Sequence, residues 1–159
     1  MEWWKNRAVY QIYPRSFLDT TGNGMGDLGG VTAKWDYLER LGVGAVWLCP
    51  IFESPQKDNG YDVSDYRRID PAYGTNEDMQ ELIREAHARN IKVILDLVVN
   101  HTSNQHPWFQ MSRDKNSPYR DFYYWRPGKA GGEPSNWGGA FTESAWTYDE
   151  QSGEYYFHT

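Results

Sequence analysis

The sequence predicts a parallel α/β fold over about its first hundred residues, followed by an irregular segment rich in aromatic residues. Apolar runs typical of strands occur at 7–14, 45–50 and 91–99, and two segments with helical periodicity separate them. Strands that alternate with helices indicate a parallel sheet. Because such crossovers are right-handed, both helices are expected on one face of that sheet.

The first strand and the first helix are joined by a glycine-rich loop. The run RAVYQIYP at 7–14 is β-branched and aromatic and is closed by proline, as in a strand. Five glycines within 19–30 exclude a helix or a regular strand there. The helix that follows ends at Gly42, a residue suited to a left-handed cap. Its predicted apolar face consists of Val31, Trp35, Leu38 and Leu41.

The second strand and the second helix are separated by a long polar connection. The run AVWLCP at 45–50 is continuously apolar, which is typical of a strand covered on both faces. After the connection at 51–74, Thr75 and Asp78 form a predicted capping box, and Asn90 suits a left-handed cap at the other end. The apolar face of this helix consists of Met79, Leu82, Ile83 and Ala86.

The third strand carries a carboxylate inside an apolar run, ILDLVVNHT. Alternation places Asp96 with Ile94 and Val98 on the face turned away from the helices, where it needs a partner to remain charged. Ligand sites of parallel α/β folds lie at the carboxyl ends of strands, and Asn100 and His101 follow this end. Asp96 therefore either pins a loop or binds a cation or a sugar hydroxyl. The opposite face, expected against the helices, carries Val93, Leu95 and Leu97.

The segment KDNGYDVSDY follows the second strand and brings further polar residues to the same edge. Asp58 and Tyr61 are expected to share a cleft with His101. A carboxylate accepts bonds from hydroxyls, a histidine can donate, and an aromatic ring packs on an apolar C–H face, so the set suits a pyranose. The alternative is an Asp-Asn-Gly turn with a packed tyrosine.

Oxygen-bearing side chains alternate along the glycine loop DTTGNGMGD. The pattern is similar to a calcium loop, but Gly30 stands where an EF-hand requires glutamate. The loop is either a hard-cation site for Ca²⁺ or Mg²⁺ or a glycine turn capped by its own side chains. The candidate ligands are Asp19, Thr21, Asn23, the Met25 carbonyl and Asp27.

Composition limits the partners and the cellular location. The net charge of -6 argues against a nucleic-acid partner, and a single cysteine excludes an internal disulfide. No segment approaches the ~20 apolar residues of a membrane helix, and the first residues lack the pattern of a signal peptide. We therefore expect a cytoplasmic protein without a membrane partner and without an organic cofactor.

Four motifs in this order, AVYQIYPRSF, GDLGG, DNGYDVSDY and DLVVNH, resemble glycoside hydrolase family 13, the α-amylase family, and most of all its α-glucosidase and oligo-1,6-glucosidase branch. The resemblance runs from residue 3 to the end. It implies a (β/α)8 TIM barrel, domain A, with a small B domain inserted after the third strand. We therefore expect about three βα units of domain A at 1–100 and the start of domain B at 101–159.

The same resemblance implies roles for individual residues. Asp96 would support an arginine near the nucleophile, and His101 would bind the sugar in the −1 subsite. Asp58 would bind hydroxyls of the non-reducing glucose, Tyr61 would stack beneath its ring, and Phe141 would lie near that subsite.

The glycine loop resembles the calcium or magnesium loop of this branch. Two of its positions depart from the commoner pattern, since Thr21 and Asn23 stand where Asn and Asp are usual. Glu143 stands where relatives often have glycine, and nothing in the sequence explains it.

Length separates this chain from a whole enzyme of the family. A closed barrel needs roughly 250 residues, and the family's aspartate nucleophile and glutamate acid/base lie on strands four and five, so we expect an N-terminal fragment that is inactive alone. The implied activity of the whole protein is retaining hydrolysis of α-1,4 or α-1,6 bonds at the non-reducing end of oligosaccharides or disaccharides. The alternatives are a sucrose- or trehalose-isomerising transglycosidase, a non-catalytic carbohydrate-binding relative, and an independent α/β domain with another ligand.

Overall fold

The computed structural model describes residues 2–158, which form two compact units. The first unit ends at Ser103 and the second begins at Asn104. The elements of the first unit are β1 (Ala8–Ile12), α1 (Leu28–Thr32), α2 (Trp35–Leu41), β2 (Val43–Leu48), β3 (Phe52–Glu53), β4 (Asp65–Ile69), α3 (Asn76–Ala88) and β5 (Lys92–Leu95). Those of the second are α4 (Pro107–Ser112), β6 (Trp125–Arg126), β7 (Trp146–Asp149) and β8 (Glu154–Phe157).

The first unit is built on a parallel three-stranded sheet in the order β1-β2-β5, which confirms the predicted parallel α/β layout. Trp47 in β2 is in register with Gln11 in β1 and with Ile94 in β5. Strand β2 is central and is hydrogen-bonded to β1 on one side and to β5 on the other. Five of its six residues are buried. Side chains at register positions therefore share one face of the sheet.

Helices α1, α2 and α3 contribute to one hydrophobic core with the strands, as the crossover rule predicts. Burial of each large apolar side chain stabilises the fold by roughly 1.5–3 kcal/mol. The helical and strand residues that share this core include Ile12, Leu28, Val31, Trp35, Leu38, Val46, Leu48, Met79, Leu82 and Ala86.

The predicted first helix is in fact two helices. The first of them, α1, begins at Leu28, earlier than the sequence predicted. The Asp27 side chain caps it by accepting a hydrogen bond from the Gly30 N–H at 2.6 Å. The C-terminal cap at Gly42 has φ 81° and confirms the predicted left-handed turn. Leu41 was expected on the buried face, but it is 51% exposed because it is the last residue of α2, next to that turn.

The polar connection at 51–74 contains an antiparallel pair, β3 and β4, that the sequence did not predict. The two-residue length of β3 is too short for any alternation to appear. Helix α3 begins with the predicted capping box, in which Thr75 accepts from the Asp78 N–H at 3.1 Å. Asn90 has φ 57°, as expected of a left-handed residue.

The third strand is shorter than predicted, and its outer face is partly uncovered. Strand β5 ends at Leu95 instead of continuing to residue 99. Val93 packs on the core, but Leu95 is 37% and Leu97 is 83% exposed, so their predicted packing against the helices is wrong. The chain leaves the sheet after Leu95, so Leu97 is no longer a strand residue.

The second unit is a small antiparallel sheet in the order β6-β8-β7 with one short helix. The predicted hairpin is confirmed as β7 and β8, although its last residue, Thr159, lies outside the described residues. Helix α4 was not predicted, since six residues are too few to show a period. Phe109 of this helix packs on Trp125 and Tyr156, with ring centroids 5.4 and 4.9 Å away. Across residues 2–158, every helix is too short or too polar to span a lipid bilayer.

Candidate functional site

Asp96 lies one residue past the end of β5 and is held by two hydrogen bonds. Its Oδ1 accepts from the indole N–H of Trp47, with 2.7 Å between Nε1 and Oδ1. Its Oδ2 accepts from the hydroxyl of Tyr61 at 2.9 Å. The carboxylate is half-buried, and a carboxylate in such a position needs hydrogen-bond donors to remain charged. Trp47 and Tyr61 are those donors. Both donors are neutral, and they hold the carboxylate without neutralising it.

Trp47 reaches Asp96 because of the parallel register between β2 and β5. It is in register with Ile94, which places its side chain on the face that also carries Asp96. The sequence reasoning gave Trp47 no role, because it lies within a continuous apolar run. The signal that could have found it is this shared face, since an indole N–H on it needs an acceptor.

Tyr61 follows a tight turn that directs its side chain toward Asp96. Asn59 and Gly60 have φ 52° and 96°, and the Tyr61 N–H donates to the Asp58 carbonyl at 2.9 Å. Burial, together with the hydrogen bond to Asp96, raises the pKa of Tyr61 to about 12. The phenol therefore stays neutral and donates a hydrogen bond to Asp96 throughout the physiological pH range.

His101 lies beside Tyr61 at the end of the third strand. Its Nε2 lies 3.1 Å from the Tyr61 carbonyl oxygen, and its Nδ1 lies 3.1 Å from the side-chain nitrogen of Asn100. The tautomer that satisfies both contacts carries its proton on Nε2, which donates, while Nδ1 accepts. The Tyr66 hydroxyl donates to the His101 carbonyl at 2.8 Å and fixes the backbone. The imidazole is exposed and therefore accessible to a ligand.

Asp58 lies in the turn that leads to Tyr61, and its side chain is exposed. The conformation of this turn depends on Asp62, which the sequence reasoning did not single out. The Asp62 carboxylate accepts from the backbone N–H groups of Lys57 and Asp58 at 3.0 and 3.1 Å, and from the Ser54 hydroxyl at 2.7 Å. Asp62 thus holds Asp58 in place through the backbone.

The structure brings the predicted residues of the two strand ends together. Tyr61 contacts both Asp96, through its hydroxyl, and His101, through its carbonyl, and Asp58 belongs to the same turn. The cluster offers an exposed carboxylate, an imidazole and an aromatic ring. The carboxylate can accept bonds from hydroxyls, and the ring can pack on a C–H face. The imidazole can donate to a ligand oxygen in exchange for its contact with the Tyr61 carbonyl, and the set suits a neutral polyol.

The glycine loop is closed by its own hydrogen bonds. Asp19 accepts from the backbone N–H groups of three loop residues, and the bond from Gly24 at 2.7 Å does most to lower the pKa of Asp19 below its usual value. Burial raises the pKa of Asp27, but hydrogen bonds from Thr20 and Gly30 together lower it by more than burial raises it. The pKa of Asp27 is therefore also below its usual value. The Asn23 side-chain oxygen accepts from the Met25 N–H at 2.8 Å.

Oxygen ligands of this kind fit a hard cation such as Ca²⁺ or Mg²⁺. In the observed conformation, however, both carboxylates already accept backbone N–H groups, and a cation would have to replace part of that network. Residues 2–158 contain no group of three or more His, Cys, Asp or Glu side chains that could hold a metal. The metal site remains a prediction.

Phe141 belongs to the second unit, in a segment without regular secondary structure. Its side chain is 88% exposed. Its predicted place near the sugar remains a prediction.

Comparison with known proteins agrees with the fold and the motifs. The sequence model of one protein family, the alpha amylase catalytic domain, matches residues 11–159 of this chain. An oligo-1,6-glucosidase of Heyndrickxia coagulans is 59% identical over 159 residues, which cover 99% of this chain and 29% of that protein. A trehalose-6-phosphate hydrolase of Bacillus subtilis (strain 168) is 57% identical over 158 residues, 98% of this chain and 28% of that protein. The chain thus spans less than a third of the length of these relatives.

A solved structure, that of isomaltulose synthase from Erwinia rhapontici NX5, superposes with a TM-score of 0.96 at 52% sequence identity. The match covers 98% of this chain and 28% of that one. The three parallel strands and the helices that connect them are therefore the N-terminal part of a (β/α)8 barrel. With the family model matched over nearly all of its residues, the chain belongs to the α-amylase family.

Proposed function

We propose that this chain supplies part of the glucose pocket of a longer retaining α-glucosidase. The substrate would be an oligosaccharide or disaccharide with an α-1,4 or α-1,6 bond at its non-reducing end. The observation that carries the proposal is the contact of Tyr61 with both Asp96 and His101 at the carboxyl ends of neighbouring strands. Relatives named oligo-1,6-glucosidase support it at the level of the family.

Each residue of the cluster has a distinct proposed role. Asp58 accepts bonds from hydroxyls of the terminal glucose, and the ring of Tyr61 packs beneath the sugar. His101 binds the same sugar through its exposed imidazole. Phe141 is not part of this cluster, and its place near the sugar is only what the family resemblance implies. Asp96 accepts bonds from an arginine near the nucleophile, which fits a carboxylate held by two neutral donors.

Retaining hydrolysis requires two carboxylates about 5 Å apart, one as nucleophile and one as acid and base. The family resemblance places both outside this chain. The residues described here therefore bind and orient the sugar, so that its anomeric carbon faces the nucleophile. Orientation of this kind contributes strongly to rate, because a misplacement of about 1 Å can cost on the order of a hundredfold.

The proposal can be tested in the full-length protein with the Asp58→Asn substitution. Hydrogen bonds to a charged group contribute about 1.5–3 kcal/mol, so kcat/KM for isomaltose or maltose should fall roughly 10- to 100-fold. A matched control is Asp36→Asn, which removes only an exposed carboxylate that pairs with Arg89 on the helix layer. Equal kinetics of D58N and the wild type, or a wild type without α-glucosidase activity, would contradict the proposal.

A second candidate function is isomerisation of sucrose. It is favoured by the structural match to isomaltulose synthase at 52% identity. Product analysis separates the two, since hydrolysis of sucrose releases glucose and fructose, whereas isomerisation yields a disaccharide of the same mass. The cytoplasmic location remains a prediction.

A further inference from the structure

We infer that Trp47 is a positioning residue of the proposed site, which fixes the orientation of the Asp96 carboxylate through its indole N–H. The contact itself rests on geometry, with 2.7 Å between Nε1 and Oδ1. Its consequence for the reaction rests on the proposed function.

Two donors on different oxygens immobilise the carboxylate. The terminal torsion of an aspartate side chain is broad and nearly two-fold, so one hydrogen bond leaves it free to rotate. Trp47 holds Oδ1 and Tyr61 holds Oδ2, which together select one orientation. A carboxylate has about four acceptor positions, so about two remain for a donor outside this cluster.

Trp47 is the better anchored of the two donors. It lies on β2, the central strand, where Gln11 and Ile94 flank it in register. Tyr61 instead lies on the loop between β3 and β4, after a turn with two positive φ angles. An indole N–H can only donate, so Trp47 offers Asp96 the same bond at any pH at which the protein is folded.

A substitution that removes the N–H should affect turnover more than binding. Trp47→Phe keeps an aromatic ring but leaves Oδ1 of Asp96 without its donor. In the full-length protein we expect kcat to fall on the order of 10- to 100-fold, while KM changes by no more than about threefold.

A double-mutant cycle distinguishes positioning from a general structural role. If Trp47 acts through Asp96, the Trp47→Phe change should slow the Asp96→Ala variant by less than about twofold, because alanine has no acceptor for the indole N–H and the contact is already lost. Equal slowing of both backgrounds would show that Trp47 acts independently of Asp96 and would overturn the inference. Unchanged kcat in Trp47→Phe would overturn it as well.

A matched control is available in the second unit. The Trp146 indole N–H donates to the Ser135 hydroxyl at 2.9 Å, so Trp146→Phe removes the same kind of bond without touching Asp96. We expect its kcat to stay within about twofold of the wild type once thermal unfolding shows that both Trp variants are folded. A loss of kcat in Trp146→Phe as large as that in Trp47→Phe would contradict a specific role for Trp47.

The contact can also be tested without any activity. With ¹⁵N-labelled tryptophan, the indole N–H signal of Trp47 is identified by its loss in Trp47→Phe. The Asp96→Ala variant should move this signal upfield and leave the Trp146 signal in place. An unmoved Trp47 signal would overturn the inference. A wild type without glucosidase activity but with the expected shift would instead contradict the proposed function and leave the Trp47–Asp96 contact supported.

Discussion

Asp96 departs from the apolar pattern around it, and its two hydrogen bonds give a physical reason for the departure. A charged residue beside a sheet needs donors, and Trp47 and Tyr61 supply them from the neighbouring strand and the following loop. Sequence reasoning could identify Asp96 as a site residue from its position alone. It could not identify Trp47, because an apolar run conceals the donor that an indole carries.

The raised pKa of Tyr61 leads to a prediction at the residue scale. Burial and the hydrogen bond to Asp96 raise its pKa from 10.0 to about 12, so the neutral phenol contributes fully to stability below pH 10, and this contribution is lost as the pH rises through 12. The difference in unfolding free energy between the wild type and Tyr61→Phe should therefore be constant up to pH 10 and change above it. Urea unfolding at several pH values measures this difference.

Tyr73 provides the control for that experiment. Its pKa is also raised to about 12, mainly by burial, but Asp96 is not among the causes. Adding Asp96→Ala should therefore reduce the pH dependence attributed to Tyr61 and leave that of Tyr73 unchanged. A difference for Tyr61 that changes well below pH 10, or one insensitive to Asp96, would contradict the assigned hydrogen bond.

At the scale of elements, the long helices and strands with a regular apolar pattern were predictable from the sequence, whereas the short ones were not. Helix α3 extends over 13 residues and carries a capping box, so both its face and its start were predictable. Helix α4, with six residues, and strand β3, with two, have no detectable period. The early end of β5 was not predictable either, since the apolar run continues through Val99 after the chain has left the sheet.

The glycine loop at 19–27 leads to a prediction about metal binding. We expect Ca²⁺ or Mg²⁺ to raise the melting temperature of the EDTA-treated full-length protein, because a ligand that binds only the folded state stabilises it. At a cation concentration of about 100 times the Kd, the stabilisation is roughly 2.7 kcal/mol. Calorimetry with and without the cation measures this. Asp19→Asn should abolish the rise. An unchanged melting temperature, or an equal rise in Asp19→Asn, would show that the loop is only a self-capped turn.

At the scale of the whole molecule, the chain holds part of a larger barrel. It spans 29% of the length of an oligo-1,6-glucosidase relative. Exposed apolar side chains at the end of the third strand, Leu97 at 83% and Val99 at 72%, match this. We expect further segments of a longer protein to cover them. The family and its barrel were predictable from four motifs, but the exposure of Leu97 was not, because it depends on which neighbours the chain contains.

The 159-residue chain on its own should show no glycosidase activity. The reason is that the proposed role of Asp58, Tyr61 and His101 is to bind sugar, whereas the resemblance places both catalytic carboxylates outside the chain. Release of nitrophenol from a nitrophenyl α-glucoside measures it, with the full-length protein as positive control. Turnover by the isolated chain above the blank would refute the assignment of these residues to binding alone.

The most direct test of the central claim, that the ends of two neighbouring strands form one glucose pocket, is a crystal structure of the full-length protein with bound glucose. The account predicts a single sugar whose hydroxyls contact Asp58 and His101 and whose ring packs on Tyr61, with Asp96 still held by Trp47. Glucose bound elsewhere, with Asp58, Tyr61 and His101 free of it, would contradict the account.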